Sequence, residues 1–444
     1  MPMSCSRFLP LTLALAAALS APAQAQSLMA LVESARQYDA PWQAAQAQLH
    51  AAQGRADQAR AGLLPSVALS AGLSRAETEI MGNGRRDLGL TTQTVGVNAS
   101  QPLYRPANRI TLEQGRRGVD AAQAQLDAVA QDLLVRVSQG YFDVLAAQDT
   151  LTFVQAQKAA VSEQLAAAKR NFEVGTSTIT DSREAQARYD LVVAQEIAAE
   201  NDLRVKNMAL DQLVGQTNTK PLPLAQPPVL PQLEPDSPLP WIEKAEAQQP
   251  LVRQALIALD VAQLETRKAE TGHLPTLDAQ AGYNVQRTPN GTTATPGVST
   301  RTNSASIGLA LNVPLFAGFS VQNRIKETLA LEDKARADLD NLRRSAVQST
   351  RAAFYGVQSG LGQVKALEAA EASSQSALEA NQLGYQVGVR INIDVLNAQS
   401  QLYQTKRDLA VARYSVLMGT LKLRQASGSL DISDIEAVNS MLAR

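Results

Sequence analysis

The octapeptide VGTSTITD at residues 174–181 returns as VGVRINID at residues 387–394. Valine, glycine and aspartate occupy the same places in both stretches, which lie 213 residues apart, and isoleucine occurs in both. Longer segments return at almost the same distance, such as VGVNASQPLY from residue 95 and IGLALNVPLF from residue 307. A long repeat period of this kind indicates that the chain contains two copies of one structural unit.

The repeat divides most of the chain into predicted parts. A first copy covers residues 26–215 and a second copy covers residues 239–428. Between them, residues 216–238 hold too many prolines for a helix or a central strand, so we expect this linker to run extended over the surface. Residues 429–444 form a separate C-terminal segment.

Residues 1–25 have the pattern of a secretory signal. Arg7 precedes the apolar run FLPLTLALAAAL, and the triplet AQA at residues 23–25 fits a cleavage site, so the mature protein is expected to begin at Gln26. The sole cysteine, Cys5, lies within the signal, so neither a disulfide nor a lipid-bearing cysteine is expected. No later segment is apolar enough for a membrane-spanning helix, and an exported chain of this kind is periplasmic, secreted or an outer-membrane barrel.

The composition argues against several function classes. The 41 basic and 42 acidic residues are almost balanced, which gives no reason to expect a nucleic-acid partner. The two histidines, His50 and His273, cannot form a His/Cys zinc site. The sequence contains neither the phosphate-binding GxxxxGK[ST] motif nor the GxSxG motif of serine hydrolases. We therefore expect no enzymatic activity, no cofactor and no bound metal.

Each copy shows the same order of predicted elements: a helix, two strands, a long helix and a second helix. The first helices are predicted at residues 27–62 and 239–272. After the strands of the first copy, helical spacing of apolar residues continues without interruption over about residues 108–174. Such a helix would be roughly 100 Å long at 1.5 Å per residue. Gly175 is expected to end it before the second helix begins.

The predicted strands alternate between one apolar face and one face of small polar residues, which is the period of a β-strand. The apolar faces carry Val67, Leu69, Ala71 and Leu73; Val95, Val97, Ala99 and Leu103; Leu277, Ala281, Tyr283 and Val285; and Ile307, Leu309, Leu311, Val313 and Leu315. The segments MGNGRRD and RTPNGTTATPG between paired strands are rich in Gly, Asn, Thr and charge, so we expect exposed hairpin loops there.

Four strands are too few to close a barrel, and their open edges would favour unwanted pairing. An apolar outer face and a small polar inner face are typical of a membrane barrel around a water-filled lumen. Three copies would supply twelve strands and, with their long helices, a continuous tube. The sequence therefore predicts an α+β membrane protein: a trimer with a 12-stranded β-barrel on a long α-helical tunnel. A soluble coiled coil with a separate small sheet is the alternative.

The chain resembles the TolC family of outer-membrane channel proteins over essentially all of its mature length. The resemblance is carried by the duplication together with the segments HLPTLD, TFVQAQKAAVSEQL, FEVGTSTITD, YQVGVRINIDVLNAQSQLYQTKRDLAVARY and SLDISDIEAVNSML. It implies a homotrimer with its barrel in the outer membrane and its tunnel crossing the periplasm. It further implies that the closed end opens when an inner-membrane pump, either an ABC or a proton-driven transporter, docks through a periplasmic adaptor protein.

The resemblance also assigns a role to the repeated turns. Each turn would join the long helix to the next helix at the end of the tunnel far from the membrane, and bonds between the helix pairs would hold the tunnel closed. Carried over to this chain, Thr180 and Asp181 would bond Arg390 and Tyr385. A simpler interpretation is that Asp181 is a helix N-cap that forms a capping box with Glu184.

Two further pairs of residues match family positions. Asp394 would line the narrowest part of the entrance, where a second acidic residue normally follows three positions later. This chain has Asn397 there, so the trimer would carry one acidic ring and one neutral ring, and Asn397→Asp would tighten block by trivalent cations. Tyr104 and Phe316 match positions where the barrel meets the tunnel, and they are interpreted as interfacial aromatics in contact with outer-membrane lipid.

The implied function is export, either of proteins by type I secretion or of small molecules by multidrug efflux. The alternative function is that of a secreted or surface trimeric coiled-coil structural protein or adhesin. That alternative requires an exposed head domain, which the sequence lacks. Surface exposure of the loop at residues 284–302 without passage of any substrate would favour the adhesin, and loss of drug or protein export on deletion would favour the channel.

Overall fold

The computed structural model describes residues 26–82, 84–225 and 230–443. The predicted secretory signal at residues 1–25 lies outside the described residues. The chain divides into two compact units, each built from separate stretches of sequence. The first unit consists of the described residues within Met1–Ala45, Leu126–Val252 and Arg343–Arg444, and the second consists of those within Gln46–Gln125 and Arg253–Leu342.

The described elements follow the same order twice, which is the duplication predicted from the sequence. The first series is α1 (Leu28–Tyr38), α2 (Ala40–Ala61), β1 (Ser66–Gly82), β2 (Gly84–Tyr104), α3 (Pro106–Glu173) and α4 (Ile179–Val214). The second series is α5 (Pro238–Gln248), α6 (Pro250–Glu270), β3 (Thr276–Thr288), β4 (Thr300–Asn312), α7 (Ser320–Gln386) and α8 (Asn392–Ala426). The short helix α9 (Ile432–Asn439) follows in the C-terminal segment.

The prediction of one unbroken helix at the start of each copy is wrong. The helix breaks at Asp39 in the first copy and at Gln249 in the second, and both residues have extended backbone geometry. Each break is followed at once by the first turn of a new helix that contains a proline, Pro41 or Pro250. Proline lacks an amide hydrogen and fits only the first turn of a helix, so it restarts the helix instead of continuing it.

Both breaks are stabilised by the side chain at the break. The Asp39 carboxylate accepts a hydrogen bond from the backbone N–H of Trp42 at 3.0 Å. In the same way, the side-chain oxygen of Gln249 accepts one from the N–H of Val252 at 2.8 Å. The Arg136 guanidinium also donates two bonds to Asp39, at 2.9 and 3.0 Å, and holds the pKa of this buried carboxyl below its ordinary value. These bonds satisfy helix N-termini whose first N–H groups have no partner within the helix.

The four strands form one antiparallel sheet in the order β1-β2-β3-β4. The pairing places apolar side chains in rows across the sheet, for example Leu69 beside Val97, and Val97 beside Tyr283. These three side chains are 73, 43 and 51 % exposed in the chain. The apolar face predicted from the alternation is therefore present, and it has no covering layer among the described residues of one chain.

Two details of the strands differ from the prediction. Strands β1 and β2 pair as far as Gly82 and Gly84, so most of the segment MGNGRRD belongs to the strands and the first loop is shorter than expected. Strand β4 ends at Asn312, so Val313 and Leu315 lie beyond it. Pro314 lies between these two residues and cannot donate a hydrogen bond to a neighbouring strand, which explains why the strand ends there.

The first unit has a core of large apolar side chains from α1, α3, α4 and α8. Its most deeply buried members include Leu28, Leu31, Tyr141, Phe142, Leu210, Leu417 and Leu421. The linker was predicted to run over the surface, but its first part packs into this core. Leu224 is 8 % exposed, and the hydroxyl of Tyr141 donates a hydrogen bond to the carbonyl of Leu222 at 2.8 Å. Leucines that alternate with the prolines explain this difference, because burying them removes apolar surface from water.

Glycines follow the ends of α4 and α8, at Gly215 and Gly428, and both have a left-handed backbone with φ of 69° and 73°. At Gly428 the space is also closed, because a Cβ atom there would lie 2.5 Å from the Cα atom of Gln249. Gly388 in the second repeated turn has a similar φ of 78° but nothing within 4 Å of such an atom. Both glycines would therefore impose backbone strain on a substituted residue, but only Gly428 would also impose a steric clash.

We expect Gly428→Ala to destabilise the protein more than Gly388→Ala. Alanine in the left-handed region costs about 1–2 kcal/mol at either position. At position 428 the methyl group must also displace the backbone of the break between α5 and α6. Thermal unfolding of the two purified variants, followed by circular dichroism in detergent, measures the difference. Equal midpoints would contradict the packing described at Gly428.

Candidate functional site

The repeated octapeptides form two turns of nearly the same geometry. In the first turn, α3 ends at Glu173 and Gly175 has φ of 78°, and in the second α7 ends at Gln386 and Gly388 has the same φ. The hydrogen bonds are equivalent as well. The N–H of Thr176 donates to the carbonyl of Asn171 at 2.8 Å, as the N–H of Val389 donates to Gly384 at 2.9 Å. A left-handed glycine at this place ends a long helix and allows the next one to start at once.

The carboxylate of Asp181 serves the start of α4. Its Oδ2 atom accepts hydrogen bonds from the hydroxyl of Ser177 at 2.7 Å and from the N–H and hydroxyl of Thr178 at 3.0 and 2.9 Å. Thr178 is therefore the N-cap and Asp181 the third residue of a capping box. The interpretation of Asp181 as an N-cap paired with Glu184 is wrong by three residues, because the helix begins at Ile179. The hydrogen bond from Ser177 keeps the pKa of Asp181 below its ordinary value.

The other three residues predicted to close the gate also lie at the turns. Thr180 is exposed. The hydroxyl of Tyr385 accepts a hydrogen bond from the side-chain amide of Asn171 at 3.3 Å, and Nη1 of Arg390 lies 3.8 Å from Oδ2 of Asp394. Within the described part of one chain, the structure thus gives Asp181, Tyr385 and Arg390 other partners than one another.

The structure contains a link between the two turns that the sequence analysis did not identify. Asn392, the first residue of α8, is 1 % exposed. Its side-chain amide donates to the backbone carbonyl of Asp181 at 3.3 Å and its side-chain oxygen accepts from Gln164 on α3. A single amide thus joins three helices. The sequence showed only a polar residue between the apolar Ile391 and Ile393, and it did not indicate which residues this amide would bond.

Asp394 and Asn397 project from one side of the first turns of α8. The intervening residues Val395 and Leu396 are 1 % and 0 % exposed and pack inward, whereas Asn397 is exposed and Asp394 is half-buried. The side-chain oxygen of Asn397 accepts a hydrogen bond from Nη2 of Arg188 on α4 at 2.7 Å. The Oδ2 atom of Asp394 accepts one from the N–H of Ile391 at 3.5 Å.

The predicted interfacial aromatics belong to the second unit. Tyr104, the last residue of β2, is 44 % exposed and Phe316, beyond β4, is 76 % exposed. Phe316 also contacts Phe319 edge to face, with ring centroids 5.5 Å apart, so the aromatic group is larger than predicted. Beside Tyr104, the guanidinium of Arg105 donates to both oxygens of Asp278 at 2.8 and 2.6 Å, which ties the end of β2 to β3.

The described part of the chain holds no cluster of three or more His, Cys, Asp or Glu side chains placed to bind a metal ion. No helix among the described residues is both long enough and apolar enough to cross a membrane.

Comparisons with known proteins agree with these features. The family described as "Outer membrane efflux protein" matches residues 31–216 and 241–429. Outer membrane protein TolC of Vibrio cholerae is 35 % identical over 424 residues, which cover 96 % of this chain and 95 % of that protein. The alkaline protease secretion protein AprF of Pseudomonas aeruginosa is 30 % identical over 85 % of this chain and 79 % of its own length.

Among solved structures, the Campylobacter jejuni CmeC outer membrane channel has a similar fold, with a TM-score of 0.78. The similarity covers 94 % of this chain and 90 % of that chain at 18 % identity. The match of the family over both copies, together with the relative at 35 % identity, decides the assignment. The chain therefore belongs to the outer membrane efflux protein family and forms an export channel of the outer membrane.

Proposed function

We propose that three copies of this chain form a channel that serves as the outlet for inner-membrane pumps, with a periplasmic adaptor protein between pump and channel. The observation that carries this proposal is the uncovered apolar face of the four-stranded sheet, on a chain that also has helices of 68 and 67 residues. Three such sheets contribute twelve strands, which is enough for a closed membrane barrel. The long helices supply the walls of a tunnel.

In this proposal, the inner-membrane pump determines which cargo passes through the channel. The description of the family names efflux, and the relative AprF is named for the secretion of alkaline protease. We therefore propose that the channel passes proteins by type I secretion, small molecules by efflux, or both, according to the ABC or proton-driven transporter that docks below it. Nothing in the described side chains favours an adhesin over this function.

The proposed docking surface for the adaptor is the turn patch, which consists of Val174, Val387, Val389 and Ile391. These four side chains are 72, 66, 78 and 61 % exposed, although they lie at the ends of helices that bury other apolar residues. All four belong to the two turns that Asn392 links, and a contiguous apolar surface formed there would be typical of an interaction surface. An adaptor with an apolar contact surface would cover them.

We expect Val389→Asp to reduce export strongly in cells that lack the wild-type channel, because a carboxylate in the turn patch would have to lose water on docking. The amount of trimer in the outer membrane should stay the same. Val298→Asp is the matched control, since Val298 is 58 % exposed in the loop between β3 and β4. Secretion and drug-susceptibility assays, with deletion of the chain as reference, measure the effect. Normal export by the Val389→Asp variant would show that the turn patch is not part of the docking surface.

The proposed gate consists of bonds from Thr180 and Asp181 of the first copy to Arg390 and Tyr385 of the second copy, between the helix pairs of the assembled trimer. The Oδ1 atom of Asp181 is left without a partner among the described residues, since its three bonds all reach Oδ2. The side chain of Arg390 is 58 % exposed and its only ion pair there is the long contact with Asp394. A guanidinium with free N–H groups can hold a carboxylate and a hydroxyl in fixed geometry.

We expect the double variant Arg390→Ser, Tyr385→Phe to raise single-channel conductance in planar lipid bilayers, because the closed end loses these bonds. Arg351→Ser with Tyr355→Phe is the matched control. It changes an exposed arginine and an exposed tyrosine on α7, outside the turns. The control should conduct like the wild type. Wild-type conductance in a correctly folded gate variant would refute the proposed gate.

Asp394 is the proposed charged group of the entrance. Three carboxylates brought together by threefold symmetry would attract cations into a narrow opening, as rings of acidic side chains do in cation channels. Asn397 on the same side of α8 adds no charge. The electrostatics of the entrance then depend on what else lies beside these two residues.

A further inference from the structure

The side chain of Arg188 lies beside the predicted entrance residues. Its Nη2 atom donates a hydrogen bond to the side-chain oxygen of Asn397 at 2.7 Å, and this bond joins α4 to α8 within one chain. Asn397 is exposed and Arg188 is partly buried, so the guanidinium is held at the surface that Asn397 presents. No further ion pair of Arg188 occurs among the described residues.

We infer that Arg188 is a charge determinant of the channel entrance, which makes the entrance far less cation-selective than Asp394 alone would make it. The inference rests on the proposed position of Asp394 and Asn397 at the entrance. It adds a cationic residue from α4 that the sequence alone did not associate with this site. In a trimer, three Arg188 side chains would face three Asp394 side chains at adjacent levels.

The charges around Asp394 support this assignment. On one side, Nη1 of Arg390 lies 3.8 Å from its carboxylate. On the other side, one helical turn along α8, Arg188 holds the side chain of Asn397. Residues three apart on a helix are neighbours on its surface. Each carboxylate of the proposed ring therefore has one guanidinium 3.8 Å away and a second one held on the residue three positions along the helix, and both positive charges offset its negative charge.

The contact also changes what a carboxylate at position 397 would do. Replacing the accepting oxygen of Asn397 by a carboxylate oxygen at the same place would give Arg188 a charge-assisted hydrogen bond, which is stronger than the bond to an amide. The new negative charge would be paired within its own chain. Asn397→Asp alone is therefore expected to leave the entrance charge almost neutral, and a second acidic ring should become visible only when Arg188 is neutralised as well.

The test compares variants of the full-length trimer in planar lipid bilayers: Arg188→Gln, Arg188→Lys, Asn397→Asp, Arg188→Gln with Asn397→Asp, and Asp394→Ala. Glutamine keeps a hydrogen-bond donor for Asn397 and removes the charge. Arg183→Gln is the matched control, because Arg183 is an exposed arginine on the same helix, five residues earlier. Reversal potentials in a potassium chloride gradient report selectivity, and titration with hexaamminecobalt(III) reports block by a trivalent cation.

We expect Arg188→Gln to shift the reversal potential toward cation selectivity and Arg183→Gln to leave it unchanged. Asn397→Asp alone should change the block constant by less than about twofold, whereas the double variant should tighten it by at least about tenfold, because three unpaired carboxylates then face a trivalent ion. Arg188→Lys keeps the charge and should keep the wild-type reversal potential. A purely structural bond would not distinguish lysine from glutamine in this way.

Two results would overturn the inference. One is equal tightening of block by Asn397→Asp in the wild type and in the Arg188→Gln background, with each single variant as reference. The other is an unchanged reversal potential for Arg188→Gln. If Asp394→Ala still lowers cation preference in that case, the entrance assignment stands and only the role of Arg188 fails. If Asp394→Ala also has no effect, the proposed position of the entrance fails with it.

Discussion

The rest of the structure depends on the constraint that every backbone N–H and C=O group in a bilayer must find a partner. The sheet of this chain has four strands, so β1 and β4 are its outer strands and each can pair on one side only within the chain. Its apolar face is uncovered as well, with Leu309 and Ile307 at 69 and 90 % exposure. The outer strands gain partners and the apolar face is covered when the sheets of several chains join edge to edge and turn their apolar faces to lipid.

Closure of the barrel also brings the long helices of the chains together. Since a closed barrel takes strands from every chain, each chain also brings its two long helices, α3 and α7, to the assembly. Each long helix ends at a left-handed glycine and the chain returns along α4 or α8. The buried amide of Asn392 holds the two returns together within one chain. If the entrance lies where we propose, Arg188 and Asp394 set the charge of the opening.

The sequence was sufficient for features that repeat with a regular period. The alternation over residues 66–104 and 276–312 predicted the four strands, and the helical spacing before Gly175 predicted the long helix, because each signal extends over many residues. The breaks at Asp39 and Gln249 were missed because the long Ala- and Gln-rich segments were interpreted as single helices, although Pro41 and Pro250 fit only the first turn of a helix.

The side-chain links of the candidate site were not predictable for a different reason. Asn392 and its partner Gln164 are 228 residues apart, and Arg188 and Asn397 are 209 apart, so no local pattern brings them together. Counting charges along α8 alone suggested that Asn397→Asp would add an acidic ring. The central claim, that three chains close one barrel, is tested most directly by the mass of the detergent-extracted protein, measured by light scattering with the bound detergent subtracted. We expect three mature chains per particle, and a stable pore formed by a single chain would contradict closure of the barrel by three chains.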